Sequence, residues 1–212
     1  MLYSKVDSKI ISNNNETSES SSYLVNEETL ELFINDKYYK TFTCIDTDID
    51  LLVIGHLYTK HKLVTDLKFV DNKAYAKVKD TQIPKKNLDT KPNVFPLVEC
   101  FMKNQKIHKF TSGTHSCIAS TNGKITYIGE DIGRHNVMDK AIGHLVKTKA
   151  DLSQSEIFTS ARLSTSLVEK CINTGIKSLI SKSVCTSQAK DLAKGKLNLV
   201  CKAWPDSYEV YV

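Results

Sequence analysis

Three short stretches of the chain combine residue types that can grip an anion. The densest is Gly129-Glu130-Asp131-Ile132-Gly133-Arg134-His135-Asn136. Its glycines allow a sharp turn and close backbone approach. The first amides of a following helix attract negative charge, and Arg134 offers a planar fork suited to phosphate or carboxylate. A second stretch, Ser112-Gly113-Thr114-His115, is a turn that projects a hydroxyl and an imidazole. The third is Thr159-Ser160-Ala161-Arg162-Leu163-Ser164-Thr165. Its hydroxyls can cap a helix or hold phosphate, and an arginine at the positive end of a helix suggests an anion nearby. Each stretch also has an ordinary reading: capping accounts for Ser160 and Ser164, and a lone histidine is commonly a satisfied structural group. Ser183 to Ser187 is a fourth, weaker hydroxyl-rich turn.

The elements around these turns give them weight. From Ile125 onward the pattern alternates at βαβ spacing: strand ITYIG, helix Arg134 to Lys147, strand EIFTS, helix Leu163 to Asn173, strand SLISK, helix Ser187 to Lys194 and strand LNLVC. A terminal run, SYEVYV, reads as an edge strand. Such a mixed α/β sheet carries helices on both faces and ligand loops at the carboxyl ends of its strands. The three turns and His115 are then expected to meet on one sheet edge. On the helix after Gly133, Val137, Met138, Ala141, Ile142, Leu145 and Val146 form the buried stripe, which leaves Arg134, Asp139 and Lys140 to face outward or into a cleft. A His135 ring at the start of that helix is expected to have a lowered pKa.

Upstream, the Ser- and Asn-rich residues 1 to 22 read as a mobile tail. Residues 23 to 80 read as a smaller subdomain of two hairpins, turning at Asn35-Asp36-Lys37 and Asp71-Asn72, around a helix capped by Thr47 or Asp48. Residues 81 to 96 hold three of the four prolines and read as a loop or linker. Residues 97 to 212 form the α/β domain, opening with a helix from about Val94 to Lys106, a strand at Lys109 to Ser112 and a hairpin closed by Asn122-Gly123.

The 212 residues are 41% hydrophobic and 25% charged, enough to bury a core without staples. No apolar run is long enough for a membrane span or signal peptide, so the chain is expected to be soluble and cytoplasmic. Six cysteines at least fourteen positions apart form no Cys-x-x-Cys, which argues for reduced thiols and against zinc. A net charge of +5 comes from scattered lysines without interleaved aromatics, a pattern that speaks against nucleic acid. Walker, G-x-G-x-x-G, G-x-S-x-G and zinc deaminase signatures are all missing.

The string GEDIGRHNVMDKAIG, preceded by TSGTH and followed by TSARLSTSLVEK, resembles the formate dehydrogenase accessory sulfurtransferase family, FdhD. The stretch EETLELFINDKYYKTFTCIDTDIDLLVIGHLYTKHKLV resembles that family's first hairpin and helix, so the likeness covers about residues 24 to 212. It implies a cytidine-deaminase-like fold without zinc and a homodimer. It also implies sulfur carriage from a cysteine desulfurase to the molybdenum cofactor of formate dehydrogenase, in its bis-guanine-dinucleotide form, with GDP as a mimic. Gly113, Thr114, His115, Gly133, Arg134, His135, Asn136, Asp139, Lys140, Ser160, Arg162 and Ser164 would then line the cofactor site. The family's Cys-x-x-Cys interval corresponds to Ile83 to Val98, which contains no cysteine. Cys100, in a helix and near the buried phase, and Cys117, beside the His115 turn, are the substitute thiols the sequence offers. The family's basic, glycine-rich stretch before the last strand is replaced by Lys202 to Ser207, and its Arg-Thr-Pro by Cys44-Ile45-Asp46. A non-catalytic, cofactor-binding or scaffold member of the family is the alternative that these departures leave open.

Overall fold

Strand and helix periodicity give three sheets, six α-helices and one 3-10 turn in the computed structural model, which describes residues 1–211 apart from Asn87, Asp89 and Thr90. The largest sheet has six strands in the order β12(Glu209–Tyr211), β11(Asn198–Cys201), β10(Ser178–Ser181), β9(Ser155–Thr159), β7(His115–Thr121) and β8(Lys124–Asp131). Strands β9, β10 and β11 run parallel, while β7 pairs antiparallel with both β9 and β8, and β12 pairs antiparallel with β11. The carboxyl ends of β8, β9, β10 and β11 therefore share one edge with the start of β7. Side-chain alternation splits this sheet into two cores. Cys117, Ala119, Ile157, Leu179, Leu199 and Cys201 face α4(Arg134–Lys147), α5(Thr165–Thr174) and α6(Ser187–Ala193). Ile118, Phe158, Ile180 and Val200 face α2(Val94–Lys103) through Val94, Leu97, Val98 and Phe101. The mixed α/β sheet with helices on both faces is thus the fold that the βαβ spacing predicts.

A second sheet, in the order β4(Lys37–Cys44), β3(Glu28–Ile34), β6(Lys73–Asp80), β5(Lys62–Val70), is two hairpins joined by the parallel pair β3/β6. It packs Leu30, Leu32, Phe42, Ala74 and Ala76 on α1(Ile49–Tyr58). The other side of α1 lies directly on α4. A Cβ added at Gly55 would stand 1.8 Å from the Asp139 carbonyl oxygen, and one at Gly143 would stand 2.0 Å from that of Leu51. Glycine is required at both positions because the two backbones touch.

The sequence misreads two segments. Residues 1 to 22, expected as a mobile tail, belong to an antiparallel hairpin, β1(Tyr3–Ile11) with β2(Thr17–Val25). Polar strands with a serine-rich register give little hydrophobic alternation to recognise, yet Tyr3 and Tyr23 rest on Phe110 at ring distances of 5.8 and 6.2 Å. Lys109 to Ser112, expected as a strand, lies in the short helix α3(His108–Thr111) and its C-cap. The backbone amides of Lys106, Ile107 and His108 all donate to the Glu130 carboxylate and bend this segment into a turn. The helix expected to run to Lys106 accordingly stops at Lys103. In the expected loop 81–96 the described residues before Val94 belong to no helix or strand, and residues 87, 89 and 90 lie outside the described residues.

Gly55→Ala is expected to lower stability by about 3 kcal/mol or more, because the helices must separate to admit the methyl group. Gly195→Ala, with open space around it and only a positive φ to strain, is expected to cost about 1 kcal/mol. Chemical denaturation of the two variants checks the difference; equal costs would remove the close helix contact as its cause.

Candidate functional site

The turn at the end of β8 is built chiefly from charges that satisfy one another. Asp131 is fully buried; its carboxylate accepts from the Gly133 amide at 2.9 Å, the Asn136 side chain at 3.0 Å and the Lys140 ammonium at 2.6 Å. The anion at the start of α4 is thus the protein's own aspartate. Lys140, expected to face a cleft, is completely enclosed and also reaches the Ile45 carbonyl at 3.4 Å. Asn136 donates to the Thr43 carbonyl at 2.7 Å. Asp139, likewise expected outward, is buried between His56, whose Nδ1 lies 3.1 Å from its carboxylate, and Lys170. Burial alone would push the Asp139 carboxyl up, but Lys170 and His56 outweigh it and hold the carboxyl below its ordinary value. Helical phase predicts a polar outward face here. It misses these residues because their partners include His56, Thr43 and Ile45, over eighty positions away, together with Asp131 at the end of β8 and Lys170 on α5.

Other side chains of the same turns remain available. Arg134 and Arg162 are exposed, and neither meets a carboxylate within 4 Å among the described residues. His115 begins β7, and its pKa is lowered by burial and then by the charges of Arg134 and His108. His135 is lowered too. The direction matches the sequence expectation, but the leading cause is burial, followed by Lys170 and Arg134.

A cavity of about 330 Å³ opens at the shared strand edge, lined by Phe101, Gln105, His108, Ser112, Gly113, Thr114, His115, Ser116, Ser160 and Lys182. Glu130 shapes its wall by fixing the 106–108 backbone and accepting from the Thr114 hydroxyl at 2.9 Å. Ser160 Oγ accepts from the Ser116 amide at 3.0 Å, which leaves its own proton free to donate. Lys182 is the residue that sequence reasoning missed. It follows β10 on the same edge, and its ammonium lies 5.2 Å from the Phe101 ring and 5.5 Å from that of Trp204. No carboxylate approaches it within 4 Å among the described residues. Its position as the residue closing SLISK was the available signal.

The twelve residues expected at the site therefore divide. Gly113, Thr114, His115 and Ser160 line the 330 Å³ cavity. His135, Asn136 and Asp139 line a separate recess of about 240 Å³ with Lys40, His56, Lys60 and Lys170. Arg134, Arg162, Gly133 and Ser164 line neither, and Lys140 is enclosed. Of the two thiols singled out from sequence, Cys117 is fully buried and burial pushes its thiol up to about 12. Cys100 is half-buried, accepts from Asn104, and is also raised by burial. Among the described residues no group of three His, Cys, Asp or Glu could hold a metal ion, and no helix is long and apolar enough to cross a membrane.

Fold and edge cavity together define an α/β protein with an appended four-stranded subdomain and a cationic pocket at its strand ends. The chain belongs to the FdhD/NarQ family, whose model matches residues 67–212. It is similar to the sulfur carrier protein FdhD of Acinetobacter baylyi, 40% identical over 110 residues that cover 51% of this chain and 40% of that protein. It is also similar to the sulfur carrier protein FdhD of Sulfurisphaera tokodaii, 38% identical over 48% of this chain and 40% of that protein. The matched stretch thus spans about two fifths of the length of these curated relatives. A crystal structure from Desulfotalea psychrophila, described as a formate dehydrogenase accessory protein, shares the fold, with a TM-score of 0.88 at 19% identity. That likeness covers all of this chain and 97% of the other.

In an NMR titration, His115 and His135 are expected to titrate below 6.5. Because the unfolded chain then binds protons first, stability is expected to fall as pH drops beneath that value, and His→Gln at either site to flatten the slope. A raised value at either histidine would contradict its placement.

Proposed function

We propose that this chain is a formate dehydrogenase accessory protein that binds the nucleotide portion of a molybdenum cofactor in the cavity at the strand edge. The observation that carries this reading is Lys182: a half-buried ammonium without a carboxylate partner among the described residues, facing a cavity with His115 and Ser160. The donor set fits a diphosphate. Lys182 supplies a point charge, Ser160 a hydroxyl donor, His115 a proton-accepting imidazole that charges when an anion arrives, and the Ser112-Gly113 turn an exposed backbone. At about 330 Å³ the cavity stands at the small end of ligand sites, which run from roughly 300 to 1,000 Å³. It suits one nucleotide arm, and the rest of a bis-guanine-dinucleotide cofactor would lie across the rim toward Arg134 and Arg162. The cofactor's own contribution, once delivered, is metal redox chemistry; the residues here bind, orient and shield. Formate dehydrogenase is the client this reading implies, and a homodimer would offer one pocket for each arm.

GDP is expected to bind the intact chain in calorimetry. Lys182→Met and Arg134→Ala are each expected to weaken it about tenfold or more, as for loss of a charge-assisted contact of roughly 1.5–3 kcal/mol. Absence of GDP binding by the intact chain would overturn the reading.

A second reading, in which the chain binds without relaying sulfur, is favoured by the absence of cysteine between Ile83 and Val98 and by the burial of Cys117. Sulfur exchange needs an accessible thiolate, and burial raises the Cys100 and Cys117 thiols. After incubation with a cysteine desulfurase and cysteine, intact mass with peptide mapping is expected to show no sulfur adduct on Cys100 or Cys117. An adduct on either would restore sulfur carriage through that thiol.

A further inference from the structure

One part of the cavity wall is not used by the diphosphate contacts: the turn from Gln105 to His108. The Glu130 carboxylate accepts from the backbone amides of Lys106, Ile107 and His108, so the chain curls around one anion and Gln105 and His108 stand at the two ends of the turn. Both are half-buried and both line the 330 Å³ cavity. The same carboxylate accepts from the Thr114 hydroxyl at 2.9 Å, and the Thr114 carbonyl lies 2.7 Å from His108 Nδ1. Glu130, His108 and Thr114 therefore form one closed hydrogen-bonded loop, which fixes the imidazole before any ligand arrives.

That loop also sets the tautomer. A carbonyl oxygen only accepts, so Nδ1 carries the proton, and in the neutral ring Nε2 is left as an acceptor. Nε2 has no partner among the described residues, and no buried side-chain nitrogen or oxygen among them lacks one, so Nε2 is exposed on a residue that lines the cavity. The Gln105 side chain likewise has no hydrogen-bond partner among the described residues, and its amide offers one acceptor oxygen and one donor group. This wall thus presents two acceptors and one donor, whereas the Lys182 ammonium and the Ser160 hydroxyl donate.

A nucleobase edge that complements such a wall must bring two donors and one acceptor. Guanine does so with N1–H, the 2-amino group and O6 side by side. Adenine and cytosine each bring a single donor group, and uracil brings one N–H between two acceptors. We propose that Gln105 and His108 read a guanine base, with Gln105 pairing to O6 and N1–H and His108 Nε2 accepting from the 2-amino group. The proposal rests on the nucleotide reading of the cavity and adds to it the residue that sets base specificity. Hypoxanthine keeps O6 and N1–H and lacks only the 2-amino group, so it leaves His108 Nε2 unmet and isolates that one contact.

The test is calorimetry of the full chain with GDP, inosine diphosphate and ADP at about pH 8, where an ordinary imidazole is neutral. Inosine diphosphate is expected to bind about tenfold more weakly than GDP, and ADP more weakly still. His108→Asn keeps a donor for the Thr114 carbonyl but has no atom at the Nε2 position. It is expected to bring GDP down to the level of inosine diphosphate and to leave inosine diphosphate unchanged. Gln105→Leu is expected to weaken both by a similar factor and to preserve their ratio. Equal binding of GDP and inosine diphosphate by the intact chain would overturn the proposal while leaving the nucleotide site standing. So would a His108→Asn variant that weakens both alike, which is the behaviour of a phosphate contact or of a disturbed turn. Absence of binding by all three nucleotides would overturn the nucleotide reading itself, and this proposal with it.

Discussion

Two helix backbones in direct contact hold this molecule together. Helix α1 belongs to the four-stranded subdomain and α4 to the large sheet, and at Gly55 and Gly143 neither has a side chain to interpose. Close approach of this kind leaves polar groups near the seam with little water, so each needs a partner from the other side. The seam supplies them in its interior, where Lys140 reaches the Ile45 carbonyl and Asp139 the His56 ring, and at its exposed margin Asn136 reaches the Thr43 carbonyl and Lys147 the Asp50 carboxylate at 2.6 Å. All four run between residues 43–56 and α4. Through them the small subdomain fixes the direction of α4, and with it the places of Arg134 and His135.

This constraint explains why the motif GEDIGRHN is so dense in charge. Most of its polar atoms serve the scaffold. Glu130 organises the 106–108 backbone and the Thr114 hydroxyl, and Asp131 neutralises both the start of α4 and the buried Lys140. Removing one partner of an enclosed pair of this type leaves an uncompensated charge, commonly at a cost of about 3–5 kcal/mol, so such residues are held by stability alone. Charge at the strand edge that meets no carboxylate among the described residues is the more informative signal, and it includes Lys182, Arg134 and Arg162.

Local rules read well where the determinants are local. The stripe Val137, Met138, Ala141, Ile142, Leu145 places α4 at Arg134–Lys147, and Asn122-Gly123 places the β7/β8 turn, because periodicity and a positive φ at Gly123 are properties of a few adjacent residues. They fail where a distant partner decides. Helical phase puts Lys140 and Asp139 on a polar face, yet residues of the α1 segment bury them. Three amides of residues 106–108 turn toward a glutamate more than twenty positions ahead, and an expected strand becomes a helical turn. The β1/β2 hairpin is invisible for another reason. Most of its pairs, such as Ser8 opposite Ser20, are polar on at least one strand, and its docking residues Tyr3 and Tyr23 are single aromatics in a polar stretch. At the site, convergence on one strand edge is legible from topology, but which side chains stay free is not, since that depends on which of them the fold consumes.

The division of the edge into an inner cavity and an outer rim bears on the kind of ligand it suits. A cavity of about 330 Å³ whose lining includes the Lys182 ammonium, the Ser160 hydroxyl and the His115 imidazole would suit a compact anionic group. Two exposed arginines on adjacent turns, outside that cavity, add affinity only to a ligand that extends beyond it. Small free anions would use the inner set and gain nothing from the rim, whereas a dinucleotide-bearing molecule would engage both. Asp131 already supplies the negative charge at the start of α4, so Arg134 and Arg162 bear on a ligand through their exposure and not through an unmet helix dipole. On the reading proposed above, a ligand with several separated phosphates would gain more from that rim than a single phosphate, because only the former reaches both the inner donors and the outer arginines.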